Sequence, residues 1–190
     1  MSQNDKQKKI NTTSIVFVAV MAALSFIGCQ LRITIPLPIG KTMIHFGNIF
    51  CLMAGLLLGG VRGGLAGGIG MAIFDLTSEY TIYAPGTFII KFLTGFVCGS
   101  IARSRGHDGS DQKRNALAAI LGISVNVILS PVNSMLIAFF SGSAIEPLII
   151  ATLADLGTSL INGILAVVCA LLLTKLLRTA LDRAGLLKKL

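Results

Sequence analysis

Tryptophan is absent from this 190-residue chain, tyrosine occurs twice, and Asp and Glu together number eight. Charged residues make up 13% of the sequence and hydrophobic residues 54%, with a mean hydropathy of +0.83. A soluble domain of this length needs far more polar surface, so composition excludes one. The apolar runs are long and do not alternate, which excludes a membrane barrel and leaves membrane helices. No nucleophile has an adjacent base, and no His-Glu-x-x-His segment occurs, so no enzyme is expected. The glycine-rich middle contains no Gly-x-x-x-x-Gly-Lys-Ser/Thr and so no phosphate loop. Cys29, Cys51, Cys98 and Cys169 stand singly in apolar runs without metal or Cys-x-x-Cys spacing. They read as small packing residues, and neither a metal nor a cofactor is expected. The polar segment "MSQNDKQKKINTTS" and the apolar run after it carry no small-residue cleavage signature, so no signal peptide is expected.

What is present is six apolar stretches, at about 13–31, 45–59, 63–77, 86–103, 115–140 and 147–177. They predict an all-α membrane protein, six transmembrane helices in one compact bundle. It forms a single domain over 1–190, with tails at 1–12 and 178–190. Spans two and three, separated by "GGVRGG", are short for a hydrocarbon core that needs about 20 residues. The net charge of +8 is distributed by side, which argues against a nucleic-acid partner. With the N-terminus inside, Lys6, Lys8, Lys9, Arg62, Arg103, Arg105, Lys113, Arg114, Lys175, Arg178, Arg183, Lys188 and Lys189 are cytoplasmic. Only Arg32 and Lys41 are outside, so both termini are expected in the cytoplasm of a multi-pass protein of the cell membrane. Glycines four apart between 55 and 70, and the pair Gly95 and Gly99, predict close contacts among spans two, three and four.

On this topology the costly polar groups gather in the outer half. His45 and Asn48 start span two, Asp75 ends span three, and Glu79, Tyr80 and Tyr83 follow in the outer loop. Lys91 lies about one and a half turns into span four. Asn133 and Ser134 are near the outer end of span five beside Pro131, which is expected to kink it. Asp155 lies about two turns into span six, with Asn162 deeper. An ammonium at bilayer depth costs roughly 2.5–3.5 kcal/mol on insertion scales, so Lys91 needs a reason. Lys91 and Asp155 come out at similar depth, which fits either a helix-orienting salt bridge or a shared polar pocket. The amides, tyrosines and histidine nearby favour an outward-facing pocket for a small solute. Blander roles stay open: Asp75 as a helix end-cap, Tyr80 and Tyr83 as interface anchors, His45 as a solvated loop residue, and mid-span Asn126 as a helix bridge.

The stretches "IHFGNIFCLMAGLLLGGVRGGLAGGIGMAIFDL" and "YAPGTFIIKFLTGFVCG" resemble the S components of energy-coupling factor (ECF) transporters, in the riboflavin-type branch. The resemblance covers 13–177. It implies a six-helix subunit of a bacterial type of uptake system that captures a B-type vitamin or precursor from outside. That vitamin is riboflavin, or a pyridine or pyrimidine compound such as pyridoxine or hydroxymethylpyrimidine. It implies docking on a transmembrane T component with two ATPase subunits, and toppling of the subunit in the bilayer. The family's docking pattern of small residues in span one maps onto Ala19 and Ala23, with Ala22 beside them. Its ligand site maps onto Asn48, Asp75, Glu79, Tyr80, Tyr83, Lys91, Asn133 and Asp155, with "PLPIGKT", Arg32 and Lys41 as a lid. The alternative is an autonomous ion-coupled secondary transporter or small channel relaying through Lys91, Asp75 and Asp155. No internal two-fold repeat supports that reading.

Overall fold

The computed structural model describes residues 12–37 and 41–187. Lys6, Lys8, Lys9, Lys188, Lys189 and the Pro38–Ile39–Gly40 part of the expected lid lie outside the described residues. The elements run α1 (Thr12–Gln30), β1 (Arg32–Pro36), β2 (Lys41–His45), α2 (Gly47–Leu58), α3 (Gly60–Leu76), α4 (Ala84–Ala102), α5 (Gln112–Phe140) and α6 (Ile145–Arg183). A single 3₁₀ turn, Thr81–Tyr83, leads into α4. Four of these segments are long and apolar enough to cross a membrane: α1, the turn plus α4, α5 and α6. Helix α2 has 12 residues, which is ~18 Å against a core of about 30 Å.

Three features differ from the sequence expectation. An antiparallel β-hairpin stands between α1 and α2, pairing Arg32 with His45 through Pro36 with Lys41. Its cause is local: β-branched Ile33, Thr34 and Ile35 favour extended backbone, and Pro36 closes the first strand where its missing N–H does least harm. The segment "GGVRGG" is not a loop. Only Gly59 breaks the chain between α2 and α3, at φ 86°, a conformation side chains rarely adopt. Helix α6 continues through 178–183, which the sequence assigned to a tail, and Arg178 ties it to the α4–α5 loop through the carbonyl and carboxylate of Asp108. Helix α5 runs unbroken through Pro131. Asp111 caps its start by accepting from the N–H groups of Lys113 and Arg114.

Glycine faces set the close contacts. Helix α3 presents Gly60, Gly64 and Gly68 to α4, where carbonyls of Phe96, Phe92 and Phe88 approach, and their rings lie stacked along the same seam. A methyl group at Gly64 would stand 2.6 Å from the Phe92 carbonyl oxygen, and one at Gly68 would stand 3.0 Å from that of Phe88. The other face of α3 sets Gly63 against Gly55 of α2, and Gly70 meets the Ala22 backbone of α1. In lipid, where apolar burial gives little net drive between helices, such backbone contact is what dispersion has to work with.

Apart from Lys91, the described basic residues segregate to the two ends of the bundle. Arg32 and Lys41 belong to the hairpin. Arg103 donates to the Leu57 carbonyl, Arg114 to the Ile101 carbonyl and Arg178 to Asp108, all at the opposite end. Gly95→Ala, whose methyl would sit 2.7 Å from the Gly63 carbonyl oxygen, is predicted to cost about 1–3 kcal/mol. Gly157→Ala, which meets nothing within 4 Å, should be neutral. Thermal unfolding of both variants in detergent checks this.

Candidate functional site

At the hairpin end the six helices diverge around a cavity of about 710 Å³, including the space at its mouth. Every helix contributes to its lining: Cys29 from α1, Asn48 from α2, Met71 and Asp75 from α3, and Lys91 from α4. Helix α5 adds Asn126, Ser130, Asn133 and Ser134, and α6 adds Asp155, Ser159 and Asn162. On α5 and α6 the polar residues recur every three or four positions, which places them on one helical face. Strand β2 completes the wall with Lys41, Thr42, Met43 and His45.

Lys91 is the buried cation of the site, 7% exposed. Its ammonium donates to Asn48 Oδ1 at 2.8 Å and to Asn126 Oδ1. Two amide oxygens from two other helices thus replace part of its water shell. An ammonium has three donors, so one remains for a ligand. Asn48 is 1% exposed, and its Nδ2 has no partner among the described residues. A buried amide donor left this way is costly unless something in the cavity accepts from it.

Asp155 organises the second polar centre. Thr42 donates to its Oδ1 at 3.0 Å and Ser134 to its Oδ2 at 2.8 Å. Thr42 also meets Thr158 at 2.8 Å. Asn162 takes the His45 N–H at 3.0 Å and donates to the Met43 carbonyl at 2.8 Å. That side-chain amide stands in for a third strand on the outer edge of β2. Asp155, Thr158 and Asn162 fall on one face of α6, so β2 lies along a polar stripe of that helix. Lys41 forms an ion pair with Glu79 in the turn after α3, which holds its ammonium above the usual lysine range. This second tether is solvent-exposed and adds little to stability.

The structure brings Asn48, Asp75, Tyr80, Tyr83, Lys91, Asn133 and Asp155 around one cavity. Glu79 is not among its lining residues, because its carboxylate turns outward to Lys41. Lys91 and Asp155 form no ion pair among the described residues. Lys91 sits at the level of Asn126, and Asp155 at the level of Ser134, ~12 Å farther along α5. Asp75 is buried and lines the cavity rather than capping a helix end in solvent. His45 is likewise buried, its Nδ1 accepting from the Gly47 N–H at 3.1 Å. Asn126 proves a cavity residue as well as a helix bridge. On α1, Ala19 and Ala23 are exposed, whereas Ala22 is buried against α3 and cannot share their face. Sequence reasoning passed over Thr42, Ser130 and Ser159; the helical spacing of Ser130 to Asn126 and of Ser159 to Asn162 was the available signal, and Thr42, on a strand, had none.

The model of the ECF-type riboflavin transporter S component family matches residues 9–179. The chain belongs to this family. It is therefore a component of a membrane transporter. The chain is also 28% identical over 113 residues to a Pyrococcus woesei protein described as an uncharacterized protein in gap 3'region, covering 60% of this chain and 72% of that one.

In an S component whose cavity is closed on one side by β2, the bonds from Asn162 set how readily that strand parts from α6. Removing two hydrogen bonds, each worth about 1 kcal/mol net, is predicted to speed ligand dissociation about tenfold or more in Asn162→Ala. Stopped-flow displacement checks it, with the association rate much less affected.

Proposed function

We propose that the chain is the substrate-binding S component of a vitamin uptake transporter, and that the cavity captures a B-type vitamin from outside the cell membrane. The observation that carries this reading is the unfilled donor set at the cavity floor. Among the described residues, Lys91 keeps a free N–H after Asn48 and Asn126 are served, and Asn48 Nδ2 has no partner. Both donors suit the carbonyl oxygens or ring nitrogens of a heterocycle. Above them Ser130, Asn133, Ser134 and Ser159 offer a ladder of hydroxyl and amide groups. A polyhydroxylated side chain such as the ribityl of riboflavin fits that ladder, and the family's description makes riboflavin the first compound to test. Pyridoxine and hydroxymethylpyrimidine, which use the floor donors and little of the ladder, are the comparison.

The orientation follows from charge. With the hairpin end outside, the basic end of α3 through α6 lies in the cytoplasm together with both termini, as the positive-inside rule asks. The exposed small-residue stripe of Ala19 and Ala23 on α1 is the docking face for a T component that works with two ATPase subunits. A flat face lets two helix backbones slide past each other in lipid, which toppling of the subunit requires.

Lys91→Ala is predicted to weaken vitamin binding about 10–100-fold, the worth of a hydrogen bond from a charged donor, while insertion and folding persist. Isothermal titration of riboflavin, pyridoxine and hydroxymethylpyrimidine against both proteins tests this, and unchanged affinity would place the ligand elsewhere. Ala19→Leu with Ala23→Leu should leave binding intact and abolish ATP-driven uptake in vesicles holding the complete transporter. Loss of binding in that double variant would count against the docking face.

A further inference from the structure

Away from the solute cavity, α5 and α6 leave a groove of about 780 Å³ on the outside of the bundle. Its walls are aliphatic, including Ile120, Val127, Ile128, Ile164 and Val168. Gly163 makes the floor: a methyl there would touch Ile123 and Val127 at 3.4 Å, so the absent side chain is the depth of the groove. The one hydroxyl present, Ser124, donates to its own helix at Ile120, which leaves the groove without a polar demand. Helix α1 packs on α2 and α3, whereas α5 packs on α4 and α6, so the groove is separate from the Ala19 and Ala23 face.

Two lysines mark one end. Helices α5 and α6 are antiparallel neighbours, with Ser134 bonded to Asp155 and Gly163 lying between Ile123 and Val127. That register puts position 113 opposite position 175. Lys113 precedes Ile120 by two turns on the same face of α5, and Lys175 follows Val168 by two turns on the same face of α6. Both are exposed, and neither ammonium has a partner among the described residues. The nearby acids are engaged, Asp111 in capping α5 and Asp108 with Arg178, and Asp182 lies two turns beyond Lys175. An aliphatic groove at membrane depth, with two cations two turns beyond its water-side end, has the chemistry to hold an anionic phospholipid: acyl chain along Gly163, phosphate at Lys113 and Lys175. We propose that the α5–α6 groove is a binding site for an anionic phospholipid.

The absence of tryptophan gives a clean test. An Ile120→Trp reporter sits ~10 Å along α5 from Lys113, near the middle of a bound acyl chain. The full chain carrying it is placed in phosphatidylcholine bilayers, and chain-brominated phosphatidylglycerol or chain-brominated phosphatidylcholine is added in steps. Half-maximal quenching is expected at a roughly fivefold lower mole fraction of the anionic lipid. Lys113→Gln with Lys175→Gln should abolish that preference while ordinary lipid quenching remains. A Phe139→Trp reporter at the far, exposed end of α5 should show no preference. Equal quenching by both lipids at the Ile120 position, an unchanged preference in the double Gln variant, or the same preference at position 139 would overturn the site. So would a reporter shielded from both lipids, since a second copy or a protein subunit would then cover the groove.

Discussion

One buried ammonium organises this bundle. Lys91 stands well inside α4, where an unpaired charge is expensive, and no carboxylate among the described residues forms an ion pair with it. Asn48 from α2 and Asn126 from α5 meet it instead. Amide oxygens neutralise nothing, so the positive charge stays available at the cavity floor, which a salt bridge would have prevented. The same bonds tie three helices at one level. Below that level the bundle closes on glycines, and above it the helices part around the cavity.

The glycines and the polar residues therefore serve one geometry. Close backbone contact of α3 with α4 and α2 removes the space that side chains would otherwise fill, and it fixes how α4 is rotated. That rotation aims Lys91 inward while Phe88, Phe92 and Phe96 lie along the seam with α3. At the other end of the cavity, β2 rests on Asp155, Thr158 and Asn162, so the outer wall is held by bonds that water can replace. A rigid floor and an exchangeable wall suit a site that must admit a solute and then keep it.

Much of this was readable from depth. Asn48, Asp75, Tyr83, Lys91, Asn133 and Asp155 stood out because polar groups in apolar spans are rare and gathered toward one end. The polar stripes of α5 and α6 marked their inner faces, but the rotation of α1 about its axis was not readable, because in lipid both of its faces are apolar and no such stripe marks the inside. Hence Ala22 was grouped with Ala19 and Ala23 although one step along a helix turns it about 100° away. Glu79 was grouped with Tyr80 for a similar reason, since adjacent turn residues point apart. The shared depth of Lys91 and Asp155 failed because span ends are uncertain by a turn or more, and here the offset decided whether they could pair. The hairpin went unseen because five-residue strands next to long helices leave only the brief alternation of Ile33 and Ile35 as a signal.

The central claim is that the cavity under the hairpin is filled by a vitamin. The most direct measurement is mass spectrometry of whatever small molecule the purified protein releases on denaturation. The account predicts one B-type vitamin in stoichiometric amount, lost in the Lys91→Ala protein. A protein that comes out empty, and that then takes up no compound from a panel of B vitamins, would contradict it.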